Sequence, residues 1–318
     1  VQSRQTKLAY TAAIFNALII GFSFLFVKLA LQVSQPLDTL AHRFTIAFIA
    51  TAILMVIKRR RIQLDLRSLL TLIPLALFYP FLFFVLQTFG LVYTTSSEAG
   101  IVNALVPIFT MLLASVFLKE RSSLLQKLFT VLTVAGIVFI FVMKGVQLNS
   151  SSSLGIVLIL LSALSFSSYS VLARKITQKI HLLDITFVMS LIGALSFNGI
   201  SVIRHGVQGS INHYFDAFTA PSFILSILYL GILSSLITSL LANYALKYME
   251  ASKMSIFSNV GTIFTIIGGA IFLKEQLAYY HLIGAAMVLI GVLGVSLTKP
   301  GDSFSKLRKT RQGSTSTK

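Results

Sequence analysis

The sequence predicts an all-α integral membrane protein with ten transmembrane helices, built from two inverted five-helix repeats. Three observations lead there. Hydrophobic residues make up 56% of the 318 residues and charged ones only 11%, where a soluble domain carries about 25%; mean hydropathy is +0.88. A chain of this kind has too little polar surface to cover its own apolar volume in water. Long apolar runs recur along almost the whole length, and one stretch returns 155 residues later at half identity.

The runs fall at 9–31, 37–57, 68–91, 97–118, 125–143, 154–173, 184–203, 222–242, 252–273 and 279–298. Each is close to the roughly 20 residues that a helix needs to cross about 30 Å of hydrocarbon. Uninterrupted stretches such as IVLILLSALSF (156–166) lack the alternation of an outer-membrane barrel and read as helices. Segment 1 is too long, and too promptly followed by another, for a cleaved signal peptide; it holds Asn16, Ser23 and Lys28. Segment 2 carries His42 and Arg43, segment 3 Tyr79, Pro80 and Gln87, and segment 4 Asn103 and Pro107 behind Glu98 at its start. In the second half, segment 6 carries Tyr169, segment 7 Asn198, and the end of segment 8 Asn243; segment 9 carries Asn259 and the pair Gly268–Gly269. Gly284, Ala285 and Gly291 mark a close-packed face on segment 10, expected to pack within the chain, so that a monomer rather than a dimer is predicted.

Charge sets the orientation. With the N-terminus in the cytoplasm, 21 of the 26 basic residues lie on the inner side and only Lys144, Arg204 and Lys274 on the outer side. This is the positive-inside pattern. It accounts for the formal net charge of +17 through contact with the anionic inner leaflet of the bilayer, without nucleic acid. The tail, 299–318, is short, polar and basic and need not fold.

The repeat is read from PIFTMLLASVFLKE (107–120) against TIFTIIGGAIFLKE (262–275), with 7 of 14 positions identical. Two halves follow, 1–147 and 148–298. Five helices per half is an odd number, so the second half enters the membrane from the opposite side. The charges agree, since Arg121 and Lys127 align with Gln276 and Leu282, while Val92 and Glu98 align with Lys247 and Lys253. Inverted repeats allow a midplane site to be opened alternately to either side.

The repeated FLKE at 117–120 and 272–275, the Arg in LAHRFTIAFIA (40–50), the Lys in SFLFVKLAL (23–31) and SSYSVLARKI (167–176) resemble the drug/metabolite transporter superfamily. More closely they resemble its EamA-type members with ten helices and two copies of one domain. The resemblance covers about 9–298. It implies a secondary transporter in the cell membrane, both termini cytoplasmic, carrying small organic solutes such as amino acids, mostly outward. This chain departs from the pattern in lacking Trp and in placing Thr262 opposite Pro107. A multidrug or lipophilic-cation exporter and a non-transporting membrane scaffold are the alternatives.

Polar residues inside the segments are few, and each is costly unless it faces the bundle interior or a wet cavity. The candidate substrate path is therefore Asn16, Ser23, Arg43, Tyr79, Gln87, Asn103, Tyr169, Asn198, Asn243 and Asn259. Arg43 lies on the order of 9 Å inside the outer start of its helix, keeps its charge, and suits a carboxylate. That carboxylate is expected to be Glu98, as an ion pair or gate at the outer mouth, with Asp38 and a substrate as the other possibilities. Pro80 and Pro107 are candidate helix kinks that free the carbonyls of Ala76 and Asn103; Gly268 and Gly269 are the flexible site of segment 9. Glu120 and Glu275, at the helix ends, are expected to cap or pair with neighbouring helices. The chain has no cysteine, no HExxH, no GxSxG and no phosphate-binding glycine loop. No enzyme activity, metal or cofactor is expected.

Overall fold

The computed structural model describes residues 2–60, 65–117, 123–143, 151–251, 254 and 257–298. They form a helical bundle whose elements follow the order expected: α1 (Gln2–Leu31), α2 (Pro36–Ile57), α3 (Ser68–Tyr93), α4 (Ser96–Phe117), α5 (Leu124–Met143), α6 (Ser151–Ile176), α7 (Leu182–Gln208), α8 (Pro221–Tyr248), α9 (Ser258–Phe272) and α10 (Tyr279–Leu297). Among the described residues seven of these, α1 to α4 and α6 to α8, are long and apolar enough to cross a bilayer; apolar stretches in α5, α9 and α10 are shorter. The tail 299–318 and Glu120 lie outside the described residues.

Local chemistry explains the boundaries. Pro36 and Pro221 stand in the first turns of α2 and α8, where the missing amide proton has no intrahelical partner to lose. Thr95 and Glu98 form a reciprocal capping box at the start of α4. Gly209, in the left-handed region at φ 65°, ends α7. Two residues past the end of α9, Lys274 stands at φ 53°, a conformation that disfavours a side chain by about 1 kcal/mol. It turns the chain so that the Glu275 amide closes on the Gly269 carbonyl at 3.1 Å.

The helices pack in a regular set of pairs. α2 lies on α7, α4 on α9, and α5 on α10; α1 packs on α8 and α9, and α6 on α3 and α4. The small-residue face of α10 is turned inward onto α5: a Cβ on Gly136 would lie 2.8 Å from the Gly284 carbonyl.

Three long helices are interrupted. α3 opens into a wide turn over Leu77–Leu82, with Tyr79 out of helical geometry (φ −145°, ψ 118°) just before Pro80. α8 does the same over Tyr229–Ile237. α4 is divided at Ala104–Leu105, between Ser96–Asn103 and Val106–Phe117, directly before Pro107. Serines of α6 bond to the backbone beside both breaks: Ser165 donates to Phe78 O (2.9 Å) and Ser167 to Val106 O (3.0 Å). α9 corrects one expectation. It runs unbroken through Gly268–Gly269, and Gly269 serves close approach instead, because a Cβ there would meet the Glu275 carboxylate and the Ser96 and Ser97 hydroxyls.

Candidate functional site

Two of the interrupted helices, α3 and α8, border a cavity. Its wall is contributed by α1 (Asn16, Ser23), α3 (Tyr79, Gln87), α6 (Phe166, Tyr169) and α8 (Ser234, Thr238), and the cavity is narrow, with a volume of about 20 Å³. A second, smaller space of about 10 Å³ adjoins it behind Tyr79 and Ser239, bounded also by Phe44, Thr186 and Ser235. Phe83, Phe84 and Phe166 supply the apolar part of the main cavity. A few polar groups set in an aromatic wall are the usual composition of a small-molecule site.

Much of the polar lining is already engaged. The Tyr169 hydroxyl donates to Asn243 Oδ1 at 2.7 Å, and Asn243 Nδ2 to Ser239 Oγ at 3.3 Å. Ser23 donates to the Ile20 carbonyl (2.7 Å) and Thr238 to the Ser234 carbonyl (2.7 Å). Asn16 Oδ1 is buried without a partner.

Of the residues expected on the substrate path, Asn16, Ser23, Tyr79, Gln87 and Tyr169 line this cavity, and Asn243 stands directly behind it. Asn103 is buried at the division of α4 and does not line it. Asn198 is a fastener: its amide donates to Thr45 Oγ1 (2.8 Å) and Ala41 O (3.3 Å) and accepts from the Tyr214 hydroxyl (2.7 Å). Burial pushes the Tyr214 hydroxyl up to about 12, so it stays a donor. The side chain of Asn259 lies outside the described residues.

The expected pair of Arg43 with Glu98 is not formed, and this corrects the sequence reading. Arg43 is buried, and its guanidinium turns to α8: Nε donates to Ser235 Oγ (2.9 Å), and Nη2 to Ser234 Oγ (2.9 Å) and the Ser234 carbonyl (3.3 Å). Glu98 faces its own helix start, accepting from Thr94 Oγ1 (2.8 Å) and the Thr95 amide (3.3 Å), with His281 Nε2 at 3.6 Å. The reason is local. The capping box holds the Glu98 carboxylate back over the first turn of α4, while the break in α8 presents two serines to Arg43. Asp38 is likewise taken, by Arg204 (2.7 Å), His205 (3.1 Å) and the Ser201 hydroxyl. Glu275 caps α4, accepting from the Ser96 and Ser97 amides (2.7 and 3.0 Å) and the Ser97 hydroxyl (2.5 Å).

The sequence reading missed α8's polar face. Ser234, Ser235, Thr238 and Ser239 recur at the spacing of one helical face within LSSLITSLL (233–241), a signal present but overlooked because no single residue of it is ionisable. It also missed the two arginine–aspartate clasps between α2 and α7: Arg204 with Asp38, and Arg60 with Asp184 at 2.8 Å.

The sequence profile of the EamA-like transporter family matches residues 7–142 and matches again over 153–297. The chain belongs to this family. Among similar proteins, the uncharacterized transporter YcxC of Bacillus subtilis is 52% identical over 93% of this chain and 95% of its own length. An uncharacterized transporter of Archaeoglobus fulgidus is 26% identical over 86% of this chain and 92% of its own. A solved crystal structure at 17% identity superposes with a TM-score of 0.64, covering 93% of this chain and 98% of its own; that likeness concerns the fold. This EamA-like chain is thus a multi-pass membrane transporter of small molecules and not an enzyme. Among the described residues there is no cluster of metal-ligating side chains, and the chain has no cysteine.

Proposed function

We propose that the chain moves small organic solutes, amino acids or related metabolites first, outward across the cytoplasmic membrane by alternating access. In this reading residues 1–147 and 148–298 are five-helix halves inverted with respect to each other, with both termini cytoplasmic. The observation that carries it is the cavity itself, enclosed by α1 and α3 of one half and α6 and α8 of the other. Three further features support the halves. Exchanging each helix with the one five places later leaves the packing pairs unchanged: α2–α7, α4–α9 and α5–α10 map onto themselves, α1–α8 onto α6–α3, and α1–α9 onto α6–α4. The interruptions of α3 and α8 correspond as well, since a shift of 155 carries Tyr79 to Ser234 and Pro80 to Ser235. The family profile matches each half separately.

Interrupted helices at a repeat interface are where transporters of inverted design place their substrates, because unwound backbone can be tolerated only beside protein or a polar cavity. The alternative of a lipophilic-cation exporter draws support from the rings of Phe83, Phe84 and Phe166 in the wall, but among the described residues no carboxylate lines the cavity to neutralise a cation. Counterflow in reconstituted vesicles decides: exchange of labelled amino acids is expected, exchange of lipophilic cations alone would favour the alternative, and no flux of any solute would leave a scaffold. Orientation is tested separately by single cysteines in this cysteine-free chain, at Gln147 and Asn212, both expected to react from outside the cell. Reaction of either from the inside would overturn the inverted arrangement.

A further inference from the structure

Arg43 is a buried cation without a counter-ion. It is 1% exposed, and its three hydrogen bonds go to neutral groups, the hydroxyls of Ser234 and Ser235 and one carbonyl. Nη1 has no partner. The guanidinium carbon lies 4.1 Å from the centroid of the Phe84 ring. Among the described residues no Asp or Glu forms an ion pair with it, the nearest candidates being held elsewhere: Asp38 by Arg204 and His205, Glu98 by its own capping box. An unneutralised charge in a low-dielectric interior is expensive, and a guanidinium does not discard its proton to escape the cost.

The charge stands one residue behind the cavity. Phe84 and Ser234 both touch Arg43 and both line the cavity. The direction of the hydrogen bonds matters here. Arg43 donates to Ser234 Oγ, so that oxygen is an acceptor, and its own proton remains to be donated. The Ser234 carbonyl is itself occupied, by Thr238 at 2.7 Å and by Arg43 at 3.3 Å. A hydroxyl whose lone pair is bound by a cation is polarised into a stronger donor. Ser234 therefore offers the cavity a proton backed by a positive charge. The rest of the wall joins an apolar part, Ile20, Phe83, Phe84 and Phe166, which suits an apolar body, to polar groups that include Asn16 and Tyr169, and to Gln87, which bonds to no other described residue.

We propose that the cavity selects solutes carrying a carboxylate on an apolar body, that Ser234 is the direct donor to that carboxylate, that Arg43 acts as a positioning residue through Ser234, and that cations are excluded. This rests on the cavity being the transport site, and it narrows the solute class. A bound carboxylate would be the missing counter-charge, which also explains why the fold keeps an unpaired arginine here.

The test compares matched solutes that differ in charge and little in shape: benzoate and benzamide, 4-methylpentanoate and its amide, phenylalanine and phenylalaninamide, with tetraphenylphosphonium as the cation. Binding is measured on the purified full chain by thermal stabilisation followed with light scattering. At least one carboxylate is expected to bind about tenfold or more tightly than its amide, the scale of a charge-assisted hydrogen bond. That ratio should fall toward one in Ser234→Ala, and in Arg43→Gln. Should Arg43→Gln fail to fold, Ser234→Ala still decides, because it keeps the buried charge, leaves Arg43 its bonds to the Ser235 hydroxyl and the Ser234 carbonyl, and removes the hydroxyl that would donate to the carboxylate. Equal binding of acid and amide, binding of none of the carboxylates, or an undiminished ratio in Ser234→Ala would each overturn the proposal. Counterflow of the same solutes is read separately. Flux of tetraphenylphosphonium without carboxylate preference keeps transport and sinks the selection; carboxylate-selective binding without flux keeps the selection and sinks transport.

Discussion

In the proposed arrangement of inverted halves the two ends of the bundle are made of corresponding parts, and they are closed to different degrees. At the end rich in basic residues, α6 reaches across to the last turn of α8: Arg174 Nη1 donates to the Leu246 and Lys247 carbonyls (2.5 and 2.9 Å), and Gln178 Nε2 to the Lys247 carbonyl (2.6 Å). These are carbonyls that a helix terminus leaves without partners, and a basic group there also suits the helix dipole. At the opposite end α1 and α3 are the counterparts. Lys28 and the last turn of α3, Leu91 and Val92, instead border an open recess of about 520 Å³ with Gln32, Thr95 and Glu275 around it. One end is sealed by three hydrogen bonds, and the other is not. The residue types differ in the same sense, since a planar fork can bond two carbonyls at once and an ammonium acts as a point charge. Under the alternating access proposed above, these are the two conditions that each end would take in turn.

The largest effect is expected from unsealing the closed end. With a single cysteine at Val92, beside the recess, or at Ala242, on the cavity wall, an impermeant maleimide should label the first readily from the Lys28 face and the second poorly from the Arg174 face. Arg174→Ala should raise labelling of the Ala242 cysteine by about tenfold, the scale of several lost hydrogen bonds, and leave the Val92 cysteine unchanged. Labelling of both positions from one face only, before and after the change, would break the comparison. Lys28→Arg sharpens it from the other side: a fork placed beside the last carbonyls of α3 should slow labelling of the Val92 cysteine by about threefold, and an unaltered rate would mean that the recess stays open for another reason.

The same ends differ in how α2 is clasped to α7. Asp38 and Asp184 are each the third residue of their helix, and each holds an arginine from the far end of the other. Asp38, however, has Arg204, His205 and the Ser201 hydroxyl, whereas among the described residues only Arg60 holds the Asp184 carboxylate, through two bonds of 3.0 and 2.8 Å. The bond to Asp184 raises the Arg60 pKa further above its ordinary value. Arg60→Gln strands a buried carboxylate and should destabilise the protein by about 1–3 kcal/mol, visible as a lower melting temperature; Arg204→Gln should cost less, because Asp38 keeps two partners. The reverse order of melting temperatures would show that the clasps are not arranged as described.

The smallest effect concerns the residue before each of these helices. Gln35 makes no side-chain cap, while His181 Nδ1 accepts from the Leu183 amide at 3.3 Å. Burial, followed by the field of Arg60, lowers the His181 pKa below the usual 6.5, so the fold favours the neutral, accepting ring. The contribution is full above pH 6.5 and fades as pH falls through the lowered value. A slight fall in melting temperature below that pH is expected, and should be absent in His181→Asn, which caps without titrating; identical pH profiles would remove the cap from the account.

Sequence alone determined what depends on solvent and on chain statistics. The apolar runs placed the helices because hydrocarbon tolerates only a backbone bonded within itself. The prolines at 80 and 107 marked places where the helical ladder lacks a donor, and helix breaks occur there. Asn16, Gln87 and Tyr169 were legible as cavity residues because a polar group within an apolar run has few places to go. Partners were another matter. Arg43 invited a carboxylate, and charge counting offered Glu98; only the fold shows that a capping box withholds Glu98 and that the opened turn of α8 brings Ser234 and Ser235 to the guanidinium. Gly268–Gly269 suggested a hinge, yet Gly269 is required by the Glu275 carboxylate and two serine hydroxyls of α4 lying where its Cβ would be. Burial is a one-dimensional property that the run of residues expresses, whereas which two buried groups meet depends on distances between helices separated by more than a hundred residues, and those only the tertiary packing decides.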